Sequence, residues 1–276
     1  YSLSSQSVKD ALNKILMKET NPTITQPAVS FATASANKFT AYEVGTSVDL
    51  TDVTATLSGG TYSYGSKDSS GNKISSTGAG VTATKWKFTD GSAVKDNLSV
   101  NKATFDSVQV ADNTNYKITA TATYGDSPYT PITNAGNLYA SGKITGGTKS
   151  ATTNAITGYR NSFYGTVTNK NALTSTIVRG LTKSNKALKA GDKFDVTIPA
   201  GAMRVVIAIP ASVSGVGDLP ASVIDENGMK AEVKTGFTLS TLNVEGANGY
   251  TAVSYKIWTL DYANAVTDAN VYHVTL

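Results

Sequence analysis

The chain has 276 residues and a formal net charge of +4; 40 % of its residues are hydrophobic, only 16 % are charged, none is cysteine and one is histidine. Without cysteine there is no disulfide, thiolate-bound zinc, iron–sulfur cluster or cysteine nucleophile, and histidine-dependent catalysis has to run through His273. With so few charges, serine, threonine, asparagine and glycine must cover the surface, and the 24 lysines and arginines form no run suited to a phosphate backbone, so nucleic acid is not an expected partner.

One segment reads as helix. Residues 4–19, SSQSVKDALNKILMKE, place Val8, Leu12, Ile15 and Leu16 on one face, with Ser4 or Ser5 as the cap. Pro22 restricts Asn21 and ends it. A helix of about four turns is marginal alone, so its apolar stripe is expected to meet either the adjacent domain or a second copy of itself. The chain opens at Tyr1 without an initiator methionine or a signal-peptide pattern. The expectation is a processed product or a piece of something longer, with Ser2–Ser7 left from a linker.

After Pro22 the period changes to two, with Gly, Asn and Asp at the corners. Strands are predicted at 28–34, 47–59, 61–65, 81–91, 103–110, 114–126 and 140–145, an antiparallel set of immunoglobulin scale. Trp86 and Tyr116 alternate with polar neighbours and are predicted core anchors. The apolar-poor stretch Ser66–Gly80 is expected to be a mobile surface loop. A compositional break at Gly146–Asn154 marks the joint to a second block.

That block repeats the alternation, with strands predicted at 162–169, 176–181, 193–201, 203–212, 221–229, 231–239, 241–249, 250–263 and 270–276. The run Val205–Pro210 is strand-length, and no apolar run approaches the ~20 residues a membrane helix needs. No helix of crossover length occurs, which argues against an α/β fold. The predicted fold class is therefore all-β: two tandem β-sandwich domains, the first Ig-like, preceded by a short N-terminal α-helix. The corresponding segments are 1–21, 22–147 and 148–276.

Candidate chemistry is thin. Neither Gly65–Lys73 nor Glu245–Gly249 carries a nucleotide-binding pattern. Asn248-Gly249 and Asn227-Gly228 suit the left-handed positions of tight turns, and both are predicted hairpin corners. Asp225, Glu226, Glu232, Glu245 and Asp261 are the acids available for a carboxylate pair, but no spacing joins two of them. The stretch Asp225–Gly228 is too short for a calcium loop. His273 lies on an alternating strand opposite in direction to Tyr272 and Val274, and no nucleophile elbow accompanies it. No catalytic, cofactor-binding or metal residue is assigned, and the chain is not expected to be an enzyme. Tyrosine is plentiful, with Tyr62, Tyr64, Tyr124, Tyr129, Tyr139, Tyr159, Tyr164 and Tyr250 among the 14. Such rings serve either as corners of a sandwich or as contacts to protein or carbohydrate. On the last long strand, Tyr255, Ile257 and Tyr262 are assigned to one face and Lys256 and Trp258 to the other, so both faces are expected to be covered, one by the core and one by a neighbouring domain or subunit.

The pieces VKDALNKILMKETNPTITQPAVS, YEVGTSV, YKITATATYGD, ITGYRNSFYGTVT, GAMRVVIAIP, VIDENGMKAEV and VEGANGYTAVSYKIWTLDYANA together resemble the C-terminal part of structural proteins of tailed bacteriophages and prophages of gut Firmicutes and Bacteroidetes. The resemblance covers nearly the whole chain. It implies a non-enzymatic virion component such as a head fibre, tail fibre or baseplate appendage. The implied partners are other copies of the chain, with a trimer as one expected state, other virion proteins, and a host-surface glycan or protein. The implied location is the particle surface. The competing expectation is a bacterial surface adhesin or carbohydrate-binding module, at the cell surface or secreted, and a secreted glycan-active enzyme comes after it.

Overall fold

A computed structural model describes residues 5–16, 18–227 and 230–276. They form an all-β architecture of several mostly antiparallel sheets preceded by a short helix. That helix, α1 (Ser5–Leu16), ends before Glu19 and Thr20 tie the chain down. Thr133 Oγ1 and Asn137 Nδ2 donate to the Glu19 carboxylate at 2.7 and 2.9 Å, and the Thr20 N–H donates to Asn134 Oδ1. Val8, Leu12 and Leu16 stay 40, 49 and 76 % exposed, so the described residues leave these three side chains uncovered. Ile15 has a side chain outside the described set, as does the expected cap Ser4.

The residues gather into two units that are not consecutive in sequence. One comprises 1–39, 49–107 and 116–155; the other comprises 40–48, 108–115 and 156–276. The continuous segments 22–147 and 148–276 do not describe these units, because two short stretches from the first half fold with the second. The stretch expected as the joint holds a strand, Gly147–Thr152, fully paired with Thr119–Tyr124.

In the first unit the main strands are β1 (Ala28–Phe31), β2 (Val53–Ser58), β3 (Ala83–Thr89), β4 (Val94–Leu98), β5 (Thr119–Tyr124) and β6 (Gly147–Thr152). One sheet has the order β4-β3-β5-β6, and β1 and β2 pair in another. Trp86 and Phe88 of β3 are buried opposite Ala122 and Ala120 of β5, so small residues make room for large ones. The other face of β5 is lined with hydroxyls, and Thr119 and Thr121 bond Thr152 and Ser150 of β6 at 2.8 and 2.7 Å. Trp86 is the core anchor its alternation predicts. Tyr116 is only half-buried, and its hydroxyl donates to Asp90 at 2.8 Å.

Three expectations for this unit are corrected. The segment after Phe31 turns into α2 (Thr33–Ala36), because the buried Ser35 hydroxyl accepts the Thr54 N–H at 2.8 Å. Residues 140–142 form a 3-10 turn where a strand was predicted. The stretch 66–80 is built around a paired hairpin, Ser66–Lys67 with Lys73–Ile74, whose turn is closed by Asp68 Oδ1 accepting the N–H groups of Ser70 and Asn72.

In the second unit the main strands are β7 (Ile156–Tyr159), β8 (Phe163–Val167), β9 (Lys193–Ile198), β10 (Arg204–Pro210), β11 (Ser222–Asp225), β12 (Thr238–Val244), β13 (Val253–Asp261) and β14 (Asn270–Thr275). β7 runs parallel to Ala41–Glu43, an exception to the antiparallel pattern expected. One sheet has the order Thr182–Lys183, β8, β10, β13, β12; the second is β9-β14-β11. Val205, Ile207, Ile209 and Trp258 of the first share an apolar cluster with Val196, Val223, Tyr272 and Val274 of the second. Tyr164 and Phe194 stack between the two sheets at 4.4 Å.

The opposite face of the large sheet carries Val206, Ala208, Tyr255 and Ile257, which pack with Phe163 and Val178. Both faces of β10 are thus buried, and its sequence shows an unbroken apolar run in place of alternation. Val178 lies on α3 (Ser175–Arg179), where a strand was expected. Thr174 caps this helix by accepting the Ile177 N–H, and packing of Val178 outweighs the strand preference of its β-branched residues. Both faces of β13 are covered, but the second is covered by α3 and its flanks within the same unit where a neighbouring domain or subunit was expected, and Tyr262 falls with Trp258, not with Tyr255 and Ile257.

Candidate functional site

The segment Gly158-Tyr159-Arg160-Asn161-Ser162-Phe163 leaves β7 and enters β8 through three buried polar residues. Gly158 is required by close approach: a Cβ there would sit 2.1 Å from the Ala111 carbonyl oxygen. This contact presses the 108–115 segment against β7 and brings Asp112 within reach of Arg160. Arg160 is 8 % exposed. Its Nε and Nη2 donate to the two oxygens of Asp112 at 2.7 and 2.8 Å, and Nη1 donates to the Thr251 carbonyl at 2.9 Å. The bond from Arg160 holds the Asp112 carboxyl below its ordinary range, and the same bond raises the guanidinium. The pair borders an open depression of about 380 Å³, completed by Ala211, Ser212, Val253 and Ser254.

Behind Arg160 the chain is held by its main chain. The Asn161 carbonyl accepts the Tyr255 hydroxyl at 2.9 Å, and burial pushes that phenol up to about 12. Ser162 exchanges bonds with Ser184, whose N–H donates to the Ser162 carbonyl at 2.9 Å and whose hydroxyl oxygen accepts the Ser162 N–H at 3.0 Å. Among the described residues, Asn161 Nδ2 and Ser162 Oγ are buried without a hydrogen-bond partner.

A second charge cluster joins the turn at Glu43 to α3. Arg179 Nη1 lies 2.8 Å from Glu43 Oε1 and donates to the Glu245 carbonyl at 2.7 Å, while its guanidinium sits 5.4 Å from the Phe163 ring centre. Beside it, the corner between β12 and β13 folds as the hairpin turn read from its sequence, with Asn248 at φ 53°. Gly45, at φ 91°, lets this corner dock, since a Cβ there would meet the Ala247 carbonyl at 2.1 Å. The third arginine, Arg204, grips Asp261 through both Nε and Nη2, the latter at 2.9 Å, and lowers its carboxyl through those bonds.

The acids named from sequence are dispersed. Asp225 accepts from Asn270 and the Asn227 N–H, and Asp261 is taken by Arg204. Burial raises the Glu232 carboxyl, but bonds from Ser222, Val223 and Lys234 outweigh it and leave the group below its ordinary range. His273 is exposed on β14, with Nδ1 2.7 Å from Asp195 and Nε2 3.7 Å from Glu226. Among the described residues no group of three or more His, Asp or Glu is placed to hold a metal ion. None of their helices is long and apolar enough to cross a membrane. Of the eight tyrosines singled out, Tyr62 and Tyr124 are buried, Tyr64 is exposed and the rest are half-buried.

Chemically, the Arg160 depression offers hydroxyls and a fixed charge pair. Asp112, held ionised by Arg160, is a weak base and has no proton to give near neutral pH. Sequence reasoning missed the three ion pairs, whose members lie 48, 136 and 57 residues apart. The available signal was the scarcity of arginine: with only three in the chain, each was a candidate for a fixed structural partner. Comparisons with protein-family models, with curated proteins and with solved structures found no match to this chain.

Proposed function

We propose that this chain is a non-enzymatic structural protein of a phage particle, a fibre or decoration component that displays two β-sandwich modules, the first Ig-like, at the particle surface. The observation that carries the reading is the use of its charges. All three arginines are spent on internal ion pairs that fix loops to sheets: Arg160 with Asp112, Arg179 with Glu43, and Arg204 with Asp261. In the first unit the face of β5 that meets β6 is lined with hydroxyls, Thr119 with Thr152 and Thr121 with Ser150. That design favours a rigid displayed scaffold over a reactive cleft. The exposed Val8, Leu12 and Leu16 stripe supports attachment through α1, either to further copies of the chain or to another particle protein. Host-surface contact belongs to the same proposal, through the half-buried tyrosines and the open hydroxyl faces.

Immunogold electron microscopy of purified particles, with antibodies to this chain, tests the assignment. Regular labelling at one structural position is the expected result. Unlabelled particles, with the antigen on the bacterial envelope, would overturn it in favour of an adhesin.

A further inference from the structure

The large sheet of the second unit ends at β12, and its outer edge is open in a specific way. The Ser254 carbonyl accepts the Ala211 N–H and the Tyr262 N–H donates to Met203, so even-numbered residues of β13 turn their main chain toward β10. Odd-numbered residues of β13 therefore bond β12, and the register assigns those bonds to Thr238, Ser240, Leu242 and Val244. The main chains of Leu239, Thr241 and Asn243 point outward. Glu245 follows in the same phase and is satisfied by α3: its N–H donates to Ser175 Oγ at 3.0 Å and its carbonyl accepts from Arg179. Among the described residues no partner bonds the main chains of Leu239, Thr241 or Asn243 on that side. Thr241 and Asn243 are exposed.

Open edges are normally blunted with charge, proline, irregular pairing or shortness. The other edge strands longer than four residues follow that rule. β9 carries Lys193 and Asp195, β6 carries Lys149, and β4 carries Lys95 and Asp96 with a break in register. β12 is seven residues, TLSTLNV, with no charge or proline and an unbroken register.

We propose that β12 is a self-association edge, through which two copies of the chain pair antiparallel about a two-fold axis at Thr241. In that arrangement Thr241 faces Thr241 of the second copy, and Leu239 faces Asn243 on each side. Every facing pair is outward-pointing, so each exchanges two main-chain bonds, about six in all. A two-fold axis through Thr241 imposes the antiparallel direction on two identical edge strands. The identical neutral strands satisfy the two-fold requirement that one patch be complementary to itself. The inference stands on the strand edge alone and does not depend on the particle assignment.

The test is sedimentation equilibrium of the full chain up to millimolar concentration, with residue-resolved hydrogen exchange. The wild type should show a concentration-dependent doubling of mass, and the amides of Leu239, Thr241 and Asn243 should exchange at least ~10-fold more slowly in the associated state. Thr241→Pro removes an outward N–H without touching the bonds to β13, and Thr241→Lys sets two like charges face to face on the axis. Each should halve the mass at concentrations where the wild type is associated. A wild type whose three amides exchange freely at every concentration overturns the proposal. So does an associated wild type whose mass neither variant lowers, an outcome that assigns association to α1 or another surface. A monomer that binds a strand of a different protein at β12 overturns it equally.

Discussion

Replacing Arg160 with alanine is the most informative single change to the scaffold. It deletes three hydrogen bonds made by a guanidinium that is 8 % exposed and opens a polar hole between the 108–115 segment and β7. Breaking a fully buried ion pair costs about 3–5 kcal/mol. The Asp112 side chain is 55 % exposed, so water recovers part of its solvation and the lower end applies, about 3 kcal/mol. For a domain of this size that lowers the melting temperature by roughly 6–12 °C. Differential scanning calorimetry reads the shift, and tryptophan fluorescence locates it, because Trp86 lies in the first unit and Trp258 in the second. Arg160→Lys keeps the charge and loses the fork, and should fall between the alanine variant and wild type. If Arg160→Ala melts within about 1 °C of wild type, the pair does not hold the unit together.

Truncating Trp86, 5 % exposed opposite Ala122, should cost about 3–5 kcal/mol by urea denaturation, with the loss seen in the first unit. Gly45→Ala forces a side chain into φ 91° and against the Ala247 carbonyl; a loss of at least ~1–3 kcal/mol is expected, and Gly201→Ala, at φ 88° with open space around it, should cost less. Asp112 and Asp261 have folded-state values lowered by their arginines, so their stabilisation is fully present above the unfolded value near pH 4 and disappears as pH falls through the folded values. An acid titration of melting temperature should therefore be flatter below about pH 4 in Asp112→Asn than in the wild type. Leu12→Ser on α1 should change the stability of the isolated chain by no more than about 0.5 kcal/mol, because Leu12 is 49 % exposed; a larger loss would mean the stripe is packed within the chain.

The sequence made the strands legible wherever one face is buried and the other wet. Trp86 and Phe88 alternate with lysines, and Tyr272 and Val274 bracket the exposed His273, so period two was visible. It was legible in β10 for a different reason, an apolar run of strand length closed by Pro210. The reading failed where a local preference opposed a tertiary contact. Thr176, Ile177 and Val178 are good strand formers, yet a Thr174 cap and a buried Val178 hold them in α3. It failed again for the 40–48 and 108–115 stretches, whose assignment to the second unit depends on contacts such as Gly158 against Ala111 that no local pattern encodes. The Arg160 site was half legible: the arginine stood out in a chain with three, while Asp112 and the Thr251 carbonyl were invisible at such separations.

The central claim is that the chain is built into a particle. Quantitative mass spectrometry of gradient-purified particles, from cells that encode the chain, tests it most directly. The account predicts peptides from both units at a fixed multi-copy ratio to the major particle protein, retained after high-salt washing. Particles free of the chain, with its peptides confined to the cell envelope or the culture fluid, would contradict it.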